Sequence, residues 1–367
     1  MTKFKDYFDE ALTRRTAASV REAYTGFDAE GFTTAVTAEL DALEMTDRIA
    51  LMAAELHARL PTDYPAALDI LRAIMPPELP TDSTEGVLES PEMWVIAHFV
   101  QVYGREHYAE SMAMMRPITK RFSAEFAIRP YIEQQPQRTL ATLLEWTTDP
   151  NVHVRRLTSE GTRPRLPWAS RLQVVIDEPG LTRPILDALR ADPEQYVRRS
   201  VANHLNDLTK DHPDYVLDLL RTWNTDPSPP TGWITKHALR TMVKAGHPDA
   251  LALLGFEPPR VEVVQFRAEP ETIRIGESVT LSAKLTADIE QALMIDYAVH
   301  HVRANGSARP KVFKLTEKTI RPGERLHITK THSMRRVTIR TYYPGEHRID
   351  LQINGKVVAT TVFTLEA

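Results

Sequence analysis

The sequence predicts two domains of different class, an all-α region over residues 1–256 and an all-β region over 257–367. Three observations carry that prediction. From about residue 5 to 255, apolar residues recur three and four apart, the spacing of helices with one buried face. Inside that stretch, a segment beginning Asp149-Pro150 returns at Asp192-Pro193, an offset of 43 residues. After Pro258-Pro259 the spacing changes to alternation, the pattern of half-buried strands.

The helical region divides at short polar or proline-containing links. Helices are expected over 46–60, 64–75, 93–103, 108–122 and 137–147, with breaks such as Pro61-Thr62-Asp63 and 76–80. Links this short favour antiparallel hairpins. The repeat aligns DPNVHVRRLTSEG with DPEQYVRRSVANH, and a looser third copy surrounds Trp233-Ile234-Thr235-Lys236. A helical repeat of about 40 residues is the size of a HEAT or armadillo unit. Such units stack into an α-solenoid whose concave face is one long binding surface. Beyond 257, strands are expected over 261–266, 278–285, 294–302, 311–315, 325–331, 338–343, 348–353 and 357–365. Turn signals such as Asn305-Gly306, Pro322-Gly323 and Asn354-Gly355 separate them, which is the pattern of an immunoglobulin-like β-sandwich.

Composition excludes several classes. No run of 18 apolar residues is present, so no membrane span is expected. The first fifteen residues lack an apolar core and read as an amphipathic helix rather than a signal peptide. The absence of cysteine excludes disulfides and thiolate metal sites and makes a cytoplasmic location the expectation. The thirteen histidines show no HExxH or paired ligand spacing, and no Walker, GxGxxG or GxSxG motif occurs. The net charge of −4 conceals an asymmetry: residues 1–115 carry 9 Lys/Arg against 20 Asp/Glu, the remainder 36 against 29. A basic second part points toward an anionic partner.

The stretch DPNVHVRRLTSEGTRPRLPW (149–168) concentrates residues able to do chemistry. Asp149 is expected as an N-cap with Pro150 at the first helical position. Glu160 then falls near the helix C-terminus, just before Gly161 and Pro164, against the unfavourable end of the dipole. The loop that follows holds Arg163, Arg165, two prolines and Trp168. The repeat places Arg155/Arg156 and Arg198/Arg199 at equivalent positions of neighbouring units. Two readings stand for these pairs: contacts to a regularly charged phosphate backbone, or a salt-bridge ladder between repeats. Asn203 occupies the position of Glu160 in the second copy, and Asn203, Asn206, Lys210, Lys236 and Arg240 read as further backbone contacts. Glu125, between apolar Phe122, Phe126 and Ile128, is a second candidate carboxylate. An isolated glutamate is usually a solvated face, and a tryptophan after a proline-rich link is more often a core anchor than a π face for a cation or base. In the β region His301, Arg303, Arg335 and Arg336 are either a second phosphate contact or plain solvated loops.

With DPNVHVRRLTSEGTRPRLPW and DPEQYVRRSVANHLNDLTKDHPDYVLDLLRTW in view, the chain resembles the AlkC family of DNA alkylation repair glycosylases, relatives of AlkD. The resemblance covers the whole chain, including the form with a C-terminal immunoglobulin-like domain from about residue 258, and RRLxSEGxRPRLPW is its most specific motif. It implies a HEAT-like-repeat enzyme that removes cationic N-alkylated bases, such as 3-methyladenine and 3-methylcytosine, from double-stranded DNA. Most glycosylases extrude the base; the resemblance implies bending and trapping of the duplex instead. Glu125 and Glu160 then match the active-site carboxylates, Trp168 the aromatic bordering the lesion, and Arg156 and Arg163 the segment holding the backbone. A base already cationic leaves without protonation, so carboxylates that stabilise an oxocarbenium-like sugar would suffice, with no cofactor, no obligate protein partner and a monomer as the expectation. The competing readings are a non-catalytic DNA clamp, in which both glutamates are dispensable, and a protein-binding scaffold, in which binding hardly responds to salt.

Overall fold

The computed structural model describes residues 3–81, 90–338 and 340–367. The chain divides into two compact units, Met1–Val216 with Asp226–Ala238, and Leu217–Thr225 with Leu239–Ala367. Among the described residues the helices are α1 (Glu10–Ala23), α2 (Ala29–Glu39), α3 (Met45–Arg59), α4 (Tyr64–Ala73), α5 (Glu92–Tyr103), α6 (Tyr108–Thr119), α7 (Arg129–Gln134) and α8 (Pro136–Trp146). They continue as α9 (Val152–Glu160), α10 (Gln173–Asp177), α11 (Arg183–Leu189), α12 (Gln195–Leu208), α13 (Pro213–Trp223), α14 (Pro229–Ala238), α15 (Arg240–Lys244) and α16 (Pro248–Leu253). None is long and apolar enough to cross a membrane.

The expected periodicity is what buries these helices. On α3, Ile49, Met52, Ala53 and Leu56 form one buried stripe. Where N-caps are aspartates they work as such: Asp9, Asp28 and Asp63 each accept a backbone N–H from the first turn. The first residues do not form the single amphipathic helix expected. A 3-10 turn, Phe4–Tyr7, precedes α1 instead, held by the Arg48 guanidinium, which donates to the carbonyls of Lys5 and Phe8 at 3.1 Å each. In the first unit α9 packs on α6, α8, α11 and α12, and α12 packs on α14. The three repeat copies thus lie side by side.

The repeat start differs from expectation, and differs identically in both copies. The N-caps are Asn151 and Glu194, directly after each Asp-Pro and two residues beyond the expected aspartate. Asp149 and Asp192 instead accept the N–H of Asn151 and Glu194, at 2.8 Å in each case, so both make a turn that feeds the helix. The carbonyls of that turn have no helical partner. The first arginine of each pair supplies one: Arg155 donates to Asp149 O and Pro150 O at 3.0 and 3.2 Å, and Arg198 donates to Asp192 O and Pro193 O.

The strands of the second unit are β1 (Val261–Glu269), β2 (Thr272–Arg274), β3 (Ser278–Ala287), β4 (Gln291–Val302), β5 (Ala308–Ile320), β6 (Arg325–Ser333), β7 (Gly345–Ile353) and β8 (Lys356–Glu366). They form a three-stranded sheet, β1-β3-β6, and a five-stranded sheet, β2-β8-β7-β4-β5, antiparallel except for β2 beside β8. Leu281 and Val279 from the first sheet and Tyr297, Val299, Ile349 and Phe363 from the second share one buried core. A strand over 338–343 is not present among the described residues; only an isolated bridge, Val337 to Arg340, is formed there, and Ile339 lies outside them. The short β2 was not expected, because three residues are too few to show alternation.

The two compact units divide within the helical stretch, so α15 and α16 lie with the strands. Within that unit Gly246 and Gly355 approach so closely that a Cβ on Gly246 would meet Gly355 O at 2.8 Å, and both have positive φ. Asn354 Nδ2 donates to Glu257 O at 2.6 Å and Gln291 Nε2 to Pro258 O at 2.9 Å, tying the Pro258-Pro259 break to the sheet.

Candidate active site

The polar centre of the first unit is a chain of ion pairs at the end of α9. Glu160 is the last helical residue and is 5% exposed. Its Oε1 receives Arg163 at 2.7 Å and lies 3.3 Å from Arg156; its Oε2 accepts from Ser200 of α12 at 2.6 Å. Arg163 also donates to Asp207 of α12 at 2.8 Å, and Ser159 donates to Ser200 at 2.6 Å. Both oxygens of Glu160 are therefore occupied. Burial pushes its carboxyl upward, but Arg156, Arg163 and Ser200 outweigh that, and it lies below the usual carboxylate range.

Glu125 reaches the same guanidinium from the other side. It sits in the turn that leads into α7, not on a helix, and accepts from Arg156 at 2.5 Å through Oε2, to which Ser123 also donates at 3.1 Å. Its Oε1 has no hydrogen-bond partner among the described residues. Burial pushes Arg156 downward, but the two glutamates more than restore it, and the guanidinium stays firmly charged. Tyr196 lies beneath it, with the guanidinium carbon 5.3 Å from the ring centroid.

These groups line a pocket of about 290 Å³ whose other walls are aromatic: Phe4, Trp94, Phe122, Phe126 and Trp168. Trp168 is not a core anchor. It is 66% exposed, with φ of +65°, a backbone region that bulky side chains rarely adopt. Its ring stacks near Trp94 at 6.4 Å and 19°, and meets the edge of Phe4 at 5.6 Å. Trp94 in turn stacks on Phe126 at 5.5 Å. A second pocket, of about 200 Å³, shares Trp94, Phe126 and Trp168, so those rings form a wall between the two. Gly161 has ordinary helical φ and does not end α9 by turning left-handed. Its missing Cβ admits Ile128, whose Cγ2 would lie 2.5 Å from one.

Of the residues singled out from the sequence, Glu125, Arg156, Glu160 and Trp168 are brought together in this pocket, with Arg163 behind Glu160. Several of the others are engaged in holding repeats together. Arg155 pairs with Asp192 at 2.7 Å and Arg165 with Asp211 at 2.6 Å, so the salt-bridge ladder is built from these two and Arg163. Arg198 serves the carbonyls of its own turn. Asn206 is buried and donates to Ala238 O at 2.7 Å, which removes it from any groove surface. Asn203 is half-buried, its Oδ1 3.3 Å from His237 Nε2. Lys210 is exposed at 3.6 Å from Asp207, and Arg199, Lys236 and Arg240 are exposed. In the second unit His301 is buried, accepting from Arg340 at 2.8 Å, whereas Arg303 is exposed. Arg335 and Arg336 are exposed as well. The sequence did not point to Phe4, Trp94, Ser123, Arg129, Tyr196, Ser200 or Asp207. Only Ser200 carried a signal, since it directly follows the repeated Val-Arg-Arg.

Two glutamate side chains joined through one guanidinium, facing aromatic rings, can stabilise a cation. Glu160, held below its usual range, is not a proton donor near neutrality. Comparison with known proteins gives the family. Residues 121–242 match the family described as DNA alkylation repair enzyme, and residues 262–367 match the C-terminal Ig-like domain of the uncharacterised protein YhaZ. YhaZ of Bacillus subtilis (strain 168) is 35% identical over 359 residues, 97% of this chain and 98% of that protein. The solved Pseudomonas fluorescens alkylpurine DNA glycosylase AlkC, bound to DNA containing an abasic site analog, is 40% identical and covers 100% of both chains with a TM-score of 0.89. The class defined by the helical unit and its pocket is that of the DNA alkylation repair enzymes. Within it, the chain belongs to the AlkC family, in the form that carries a C-terminal Ig-like domain.

Proposed function

We propose that this chain is a DNA glycosylase that excises cationic N-alkylated bases, 3-methyladenine and 3-methylcytosine among them, from double-stranded DNA. One observation carries the reading: Glu125 and Glu160 converge on Arg156 in a pocket walled by the exposed Trp168. As the N-glycosidic bond breaks, positive charge moves from the base to the sugar, and a fixed carboxylate lowers the energy of that state. Glu160, with both oxygens held, is suited to be the fixed charge. Glu125 keeps one oxygen unpartnered and is suited to orient the attacking water. The Trp168 ring face offers cation–π stabilisation from the side. A lesion that is already cationic needs no general acid, so neutral adducts are expected to be poor substrates, and base extrusion is not required.

In this reading residues 1–256 form a HEAT-like α-solenoid that carries the chemistry, and residues 257–367 form an immunoglobulin-like β-sandwich. Exposed Arg199, Lys210, Lys236 and Arg240 supply backbone contacts, while Arg155, Arg163, Arg165 and Arg198 act on the scaffold. The second unit adds cations of its own: Lys244, Arg303, Arg309, Lys311 and Arg340 line a cavity of about 670 Å³. The test is release of free base from methylated DNA without added metal, comparing the wild type with Glu160→Gln. Release by the wild type alone is expected. Equal release by both would move the chemistry away from Glu160, and release by neither would leave a DNA clamp.

A further inference from the structure

We infer that Arg129 is a positioning residue for Trp168: its buried guanidinium clamps the loop 161–170 from below and thereby sets the indole against Glu125. The inference rests on the role proposed above for Trp168 and adds a residue to it. Arg129 opens α7 and is 4% exposed. No carboxylate lies within ion-pair distance of it among the described residues. Its Nη1 donates to Gly161 O at 3.2 Å and Arg163 O at 2.8 Å, and its Nη2 to Ser170 O at 2.6 Å. Nε is buried without a partner. Burial draws the guanidinium down to about 10, partly offset by Glu133, so it remains charged at neutral pH.

A cation whose direct partners are all carbonyls is an unfavourable arrangement, because the more distant Glu133 offsets its desolvation only in part. An apolar side chain in the same space would leave the carbonyls of Gly161, Arg163 and Ser170 without this donor. What the arrangement does accomplish is specific. Gly161 and Arg163 lie at the start of the loop and Ser170 at its end, so one planar group fixes both ends through a forked set of donors. Between them Trp168 is held at positive φ while two-thirds exposed, where burial cannot hold it. Inside the loop, the bonds from Ala169 N to Leu166 O and Leu172 N to Pro164 O shape its backbone without tying it to the rest of the unit. Arg163 and Arg165 tie the first half of the loop through Asp207 and Asp211, and Arg129 is the group that also reaches its far end, at Ser170 O. It stands four residues after Glu125, so the turn that presents the free carboxylate oxygen and the loop that presents the ring share one anchor.

The test is a double-mutant cycle on single-turnover base release and on affinity for lesion DNA, using full-length Arg129→Gln, Trp168→Ala and the pair. A displacement near 1 Å costs about 100-fold in rate, so Arg129→Gln is expected to lose about that much with affinity little changed. In the Trp168→Ala background the same change should cost no more than about 3-fold, because the group it positions is gone. An undiminished loss in that background overturns the inference while leaving the role of Trp168 intact. Full activity of Trp168→Ala instead sinks the reading of Trp168 itself. If Arg129→Gln does not fold, Arg129→Lys decides, since it keeps the charge but not the fork. Near-ultraviolet circular dichroism of the Trp94–Trp168 pair and the release rate should then fall together, and retention of both would overturn the clamp.

Discussion

The first two repeats begin with the same atoms in the same places and end in different jobs. In each, Asp-Pro makes a turn that feeds the helix, and the first arginine donates to the two carbonyls of that turn. The copies part at the second arginine. Arg156 is drawn between Glu125 and Glu160, whereas its counterpart Arg199 points to solvent. They part again one turn later, where the second copy has Asn203 in the position of Glu160. The first unit then runs into the loop that exposes Trp168, while the second goes on through α12 to Leu208. The lesson is that a repeat conserves the geometry of its start, and chemistry enters where its later side chains meet neighbours that the other copy lacks.

Breaking that contrast should have graded consequences. Arg156→Met removes the cation shared by two partly buried carboxylates and is expected to cost about 3–5 kcal/mol of stability. The equivalent Arg199→Ala should fall within about 0.5 kcal/mol and flatten the salt dependence of DNA binding by about one unit. Equal melting shifts in the two variants would erase the distinction. Next is Glu160→Gln, expected to keep lesion-DNA affinity and lose about 100-fold or more in base release. Asn203→Ala should leave release nearly unchanged, and a comparable loss there would make the second repeat part of the chemistry.

Where the copies agree, the effects should agree. Arg155→Ala and Arg198→Ala each orphan a pair of turn carbonyls and are expected to cost about 1–3 kcal/mol in urea melts. Arg155 should cost the more because it also pairs with Asp192; a larger loss at Arg198 would break the equivalence.

The smallest effect concerns the second unit. Burial, with Arg340 nearby, draws His301 down to about 3 and His332 to about 4, and burial also lowers His347. Folded values below the ordinary histidine value mean that the unfolded chain binds protons more strongly, so stability is complete only about one pH unit above the ordinary value of about 6.5 and declines as pH falls through 6.5 toward the folded values. From pH 7.5 to 6.5 the three together should remove about 1 kcal/mol, and a pH-independent melt of this unit over that range would contradict their burial. Glu160 acts in a lower window: its stabilisation is present above the ordinary carboxylate value and fades as pH drops through its depressed one.

The sequence made the element types legible because burial imposes a period. The expected 46–60 and 137–147 correspond to Met45–Arg59 and Pro136–Trp146. What failed was local chemistry with two solutions. Asp149 can cap a helix or build a turn before one, and Asn151 took the cap. The run 338–343 alternates like a strand in sequence, yet among the described residues only the Val337–Arg340 bridge is formed there. At the site, Arg156, Glu160, Arg163 and Trp168 were legible as residue types in the one unusual stretch 149–168, and Glu125 as a separate carboxylate among apolar residues. Their roles were not, because partners decide them: Ser200 reaches Glu160 from 40 residues away, and Arg129 holds carbonyls up to 41 residues ahead. Trp168 shows the same limit. A tryptophan after prolines usually finds a core, whereas this one stands exposed on a left-handed backbone.

The bond from Ser200 to Glu160 also bears on how this protein can change over generations. Stacked-repeat proteins are ordinarily free to gain, lose or shuffle units, since each unit needs only a neighbour of matching shape. Here the units starting at Asp149 and Asp192 are stitched by Ser200–Glu160, Arg155–Asp192, Arg163–Asp207 and Arg165–Asp211. A duplicated unit slipped between them would strand all four at once. The two repeats therefore act as one coupled block, and an insertion between them would have to replace four side-chain bonds at once.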